Sequence, residues 1–80
     1  SDIDVVIDDA SHRVDDQIFA AKTLLPLLKK DVIYIIEDVS HSKLIVRALG
    51  GGYEYYLPTI YRKWKGGMIL VIRGKQNGTR

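Results

Sequence analysis

Two short stretches concentrate the groups able to do chemistry. "VVIDDASH", residues 5–12, runs an aliphatic segment into Asp8 and Asp9 and then His12, while "YIIEDVS", residues 34–40, runs another into Glu37 and Asp38. Carboxylates gathered in one place repel unless a proton or a cation compensates. A hard divalent cation, Mg²⁺ or another such as Mn²⁺ or Ca²⁺, takes oxygen ligands and relieves that repulsion. His12 stands three residues past Asp9. A neutral imidazole there is placed to take the proton of a metal-bound hydroxyl, whose pKa the metal lowers. Plainer readings stay open beside these: acids at loop starts commonly cap helices and face water, and a lone loop histidine is commonly a polar contact. His41 has no comparable context and reads as a surface residue.

The elements that must position these groups follow from hydrophobic periodicity. "IDVVI", 3–7, and "VIYII", 32–36, are β-branched runs of the kind expected for strands covered on both faces of a parallel sheet. Between them, from about Val14 to Lys30, Ile18, Ala21, Leu25 and Leu28 recur at helical steps, with Leu24 widening the stripe. Ser11 is available as the helix cap, and Asp15 and Asp16 suit its first turn. Pro26 is expected to kink the helix or to start a fresh final turn after Leu25. Strand, helix, strand within about 35 residues predicts a right-handed βαβ unit. "SKLIVRAL", 42–49, predicts a short helix ended by Gly50-Gly51-Gly52. "YEYYLPTIYRKW" and "MILVIR" predict an antiparallel hairpin turning at Gly66-Gly67, and residues 75–80 a polar tail. The expected order is β-α-β-α-β-β. In open parallel sheets ligands bind beyond the carboxyl ends of the strands, where both acidic pairs fall.

At 80 residues, 1–80 is expected to be a single partial domain, folded over 1–74. Without cysteine it has neither disulfides nor thiolate metal ligands. No basic n-region opens the sequence, no apolar run approaches a membrane span, and the expectation is a soluble cytoplasmic chain. Net charge is +2, but nine of the ten acids lie at or before Asp38 and eight of the twelve Lys and Arg after it. The two halves either neutralise one another across the fold or face different partners.

The combination "VVIDDASHRVDDQI…LLPLLKKDVIYIIEDV" resembles the second half of class I S-adenosylmethionine-dependent methyltransferases, nearest to the metal-dependent O-methyltransferases. The resemblance covers roughly residues 2–75. It implies the C-terminal half of a Rossmann-like sheet and O-methyl transfer to a small-molecule hydroxyl. It also implies Mg²⁺ or another divalent cation on Asp9, Glu37 and Asp38, with His12 as general base and Asp8 grazing the cofactor. The 28 positions from Asp9 to Glu37 (37 − 9) match the separation in catechol-type members. Ala10 stands where that family usually has glycine, and "KKDVIYI" lacks its usual Pro-Gly-Gly.

The family's glycine-rich cofactor loop has no counterpart in these residues, since Gly50-Gly51-Gly52 follows the second strand. The chain alone is therefore expected to bind S-adenosylmethionine poorly. It is also expected to pair with a missing N-terminal half or with a second copy, because the first strand's edge invites pairing. Two further readings come from other classes. "YEYYLPTIYRKWKGG" interleaves aromatics with Arg62, Lys63 and Lys65, as a nucleic-acid surface does, or is a half-exposed aromatic strand. A non-catalytic interaction module that keeps an ancestor's acids is the other.

Overall fold

The computed structural model describes residues 5–9, 11–28, 30–58 and 68–74. The elements are β1 (Val5–Asp8), α1 (Val14–Leu24), a 3-10 turn (Leu25–Leu27), β2 (Ile33–Val39), α2 (Ser42–Leu49), β3 (Tyr53–Tyr56) and β4 (Met68–Gly74). They build a small α/β fold around one mixed four-stranded sheet ordered β1-β2-β4-β3. β1 runs parallel to β2, with Val5 opposite Ile33 and Asp8 opposite Ile36. β4 is antiparallel to both β2 and β3.

The core lies on one side of this sheet. Tyr34, Ile36 and Val39 of β2 and Leu70 and Ile72 of β4 are buried with Ala21 and Leu25 from the α1 segment and Ile45 of α2. Alternation along each strand sends the intervening residues to the other side. There Ile33, Ile35, Ile69 and Val71 are half-buried, while Val5 and Ile7 remain 59% exposed. This corrects the expectation that the first strand is covered on both faces. β1 stands at the sheet edge, and the buried residues of α1 and α2 join the core of the opposite side.

Other local expectations are refined. α1 stops at Leu24, and Pro26 sits at the start of a 3-10 turn, because proline supplies no N–H to the helix ladder. Leu24 is 38% exposed rather than part of the buried stripe. Arg13, not Ser11, occupies the N-cap position; Ser11 instead accepts the Arg13 N–H at 3.1 Å and donates to Asp16 at 2.9 Å. Asp15 and Asp16 do sit in the first turn. α2 ends at Gly50, whose φ of 86° suits a residue without Cβ. Among the described residues the third strand ends at Tyr56. The turn at Gly66-Gly67 and the tail at 75–80 lie outside them. No helix among the described residues is long and apolar enough to cross a membrane.

Candidate acid-base site

β1 and β2 are neighbours and parallel, so their C-terminal ends deliver side chains to the same end of the sheet. β1 closes on Asp8, and Asp9 follows in the loop that leads through His12 to α1. Glu37 and Asp38 lie inside β2 rather than after it. The pairing of β2 with β4 loses register between Ile36 and Val39, and Asp38 adopts φ 57°. Such a bulge re-aims side chains at a strand end.

The result is two contacts across the neighbouring loops. His12 Nε2 lies 3.2 Å from Asp38 Oδ2, with the imidazole 78% exposed and the carboxylate 29%. Asp9 stands beside Glu37. Its charge is the main reason the Glu37 carboxyl is pushed above the ordinary glutamate value, followed by desolvation, a hydrogen bond shared with Asp9 and the charge of Asp38. All four residues are thus drawn to one end of the sheet, as pairs.

Asp8 is placed differently. Its carboxylate accepts a hydrogen bond from the hydroxyl of Tyr34, at 3.3 Å. Burial, helped by the charge and hydrogen bond of Asp8, pushes the Tyr34 phenol up to about 12, so it stays a donor at every physiological pH. His41 is exposed, its Nδ1 2.9 Å from Ser40 Oγ.

One inward residue escaped the hydrophobic reading. Gln17 is 1% exposed and is the buried polar side chain of the core face. Its Nε2 donates to the backbone oxygens of Ser11 at 2.9 Å, Glu37 at 3.3 Å and Asp38 at 3.3 Å. The available signal was positional: Gln17 precedes Ala21 and Leu25 by four and eight residues, on the stripe that faces the sheet.

The arrangement can hold and move protons. When neutral His12 donates Nε2–H to the Asp38 carboxylate, the lone pair on Nδ1 is left to accept a proton. A divalent cation fits less well. Among the described residues no three His, Asp or Glu side chains form a group able to hold a metal ion, and Asp38 is engaged with His12. A groove of about 160 Å³ involves Ala21, Leu25, Pro26 and Tyr53, and a shallow hollow of about 280 Å³ surrounds Ser40–Leu44. Neither is lined by the acidic pairs.

The aromatic segment is only partly described. Tyr53 and Tyr55 pack against the core, and the Tyr55 hydroxyl donates to the Gly50 carbonyl. Neither ring is a free stacking platform, whereas Tyr56 is exposed and bonds Glu54 at 3.0 Å. Arg62, Lys63, Trp64 and Lys65 lie outside the described residues.

No protein-family model, no curated protein and no solved structure matches the chain. The functional reading therefore rests on the residues and their geometry.

Proposed function

We propose that this chain carries the acceptor-activating part of an O-methyltransferase-type site, in which His12 is the general base for a small-molecule hydroxyl. The observation that carries the reading is the 3.2 Å contact between His12 Nε2 and Asp38 Oδ2, at the shared C-terminal end of two parallel strands. Asp38 orients the ring and stabilises the imidazolium once Nδ1 has taken the hydroxyl proton. Asp9 and Glu37 stand at the same end of the sheet, where the charge of Asp9 holds the Glu37 carboxyl above its ordinary value.

The finer fold assignment belongs to the same proposal. A parallel βαβ unit followed by two strands, the last slipping antiparallel beside β2, agrees with the C-terminal half of a Rossmann-like methyltransferase sheet. S-adenosylmethionine supplies an electrophilic methyl group in such enzymes. The sequence contains no G-x-G-x-G loop to cradle it, and Gly50, Gly51 and Gly52 follow α2. The chain's own part is the acceptor side.

The test is nuclear magnetic resonance on the full chain with labelled histidine, using catechol as the hydroxyl probe. We expect a neutral His12 protonated on Nε2, ring shifts that saturate with catechol, and loss of the Nε2 preference in Asp38→Asn. A ring protonated on Nδ1, or one indifferent to catechol, would sink the reading. Mn²⁺ added to the same sample tests the divalent cation. Selective broadening at Asp9, Glu37 and Asp38 requires the two pairs to merge into one ligand set, and no broadening at millimolar metal leaves the histidine and aspartate pair as the site.

A further inference from the structure

Asp38 is held in a backbone conformation that non-glycine residues rarely adopt. Its φ of 57° lies in the left-handed region, at a cost of roughly 1–2 kcal/mol for a residue with a Cβ. Such a conformation persists only where surrounding structure determines it. Besides the bulge against β4, one side chain spans it. Gln17 Nε2 reaches both the Glu37 and Asp38 carbonyl oxygens at 3.3 Å. Successive carbonyls in an extended strand point to opposite sides, so a single donor group cannot serve both. In a helical or left-handed conformation they point the same way, and it can. Gripping the two carbonyls that flank Asp38 therefore selects the unusual φ over the extended alternative.

The remaining hydrogen bond adds the second loop. Gln17 Nε2 also donates to the Ser11 oxygen at 2.9 Å, one residue before His12. A single carboxamide thus ties the loop bearing His12 to the bulge bearing Asp38. Its orientation is fixed by the same partners, since a flipped amide would set Oε1 against three carbonyl oxygens. Among the described residues Gln17 Oε1 has no hydrogen-bond partner. A buried acceptor left unpaired is costly, and it is tolerated here because the nitrogen end is fully engaged.

We infer that Gln17 is a positioning residue, whose buried carboxamide holds Asp38 left-handed and Ser11 beside it and so seats His12 against the Asp38 carboxylate. The catalytic meaning of this clamp rests on the proposed function; its geometry does not.

The test is Gln17→Met in the full chain, which keeps length and bulk but removes both donors. In the native chain the intraresidue amide-to-Hα Overhauser effect of Asp38 should be strong, as positive φ requires, and His12 ring protons should contact Asp38 Hβ. In a folded Gln17→Met both signals should fall several-fold. If both persist unchanged, the clamp is wrong. Asp38→Gly is the companion variant, because glycine carries no left-handed penalty. It should cancel much of the unfolding cost of Gln17→Met in a double-mutant cycle, and strictly additive costs would overturn the inference. Should Gln17→Met not fold, the native side chain still decides. Its amide hydrogens should exchange with solvent at least about 100-fold more slowly than those of a free carboxamide, and exchange at the free rate refutes burial and bonding. Native contacts that vanish in Gln17→Met, combined with a His12 indifferent to catechol, would leave the clamp standing and remove the functional reading.

Discussion

At the scale of single residues the telling feature is how unlike the five candidate side chains are once placed. Asp8 is taken by Tyr34, Asp38 by His12, and Asp9 by Glu37. Sequence placed the last four at one end of the sheet, but it could not divide them into pairs. A pairing depends on which way each loop turns, and the left-handed φ of Asp38 decides that. The Glu37–Asp9 contact has a pH signature. The folded chain holds the Glu37 proton more tightly than the unfolded chain, because ionisation sets like charges together. Its contribution to stability is therefore fully present below the ordinary 4.5 and is lost as pH rises through the higher folded value. We predict a ¹³C titration midpoint for the Glu37 carboxyl above 4.5 that moves down in Asp9→Asn. A midpoint indifferent to that substitution would place Asp9 elsewhere.

At the scale of elements the helices, the first two strands and the Gly50 stop were readable because each is a local pattern: a 3.6-residue stripe, a β-branched run, a residue without Cβ. The span of α1, the bulge in β2 and the end of β3 were not, since each is set by a partner distant in sequence. Gly74 shows such a constraint. It closes β4 by donating its N–H to Val32 at 3.0 Å. A Cβ built there would overlap the Lys30 carbonyl oxygen and come within 2.7 Å of its carbon. Both are backbone atoms, so no rotamer change relieves the clash. Gly74→Ala is expected to lower stability by about 1–3 kcal/mol in urea denaturation, within the range for overpacking. A cost indistinguishable from zero would mean that the loop before β2 yields freely.

At the scale of the whole molecule the sheet is unequal. One face carries the core, while the other offers Val5 and Ile7 at 59% exposure beside half-buried Ile33, Ile35 and Val71. Among the described residues β1 is an end strand of the sheet, paired with β2. An aliphatic strand at a sheet edge with exposed Val5 and Ile7 is a template for another such strand, and a second copy of the chain carries one. We propose self-association through this edge. Light scattering should show a mass rising toward twice that of the monomer with concentration, and Ile7→Lys should hold it at the monomer. A native chain that stays monomeric at high micromolar concentration would end the proposal.

Periodicity and residue type were enough to establish an α/β chain, the strands that carry the acids and the helix between them, because burial imposes those patterns locally. Fold geometry alone decided that Gln17 lies inside, that Asp38 turns left-handed onto His12, and that Val5 and Ile7 stay exposed. These are outcomes of which distant segments meet, and an 80-residue string of side chains does not state its own contacts.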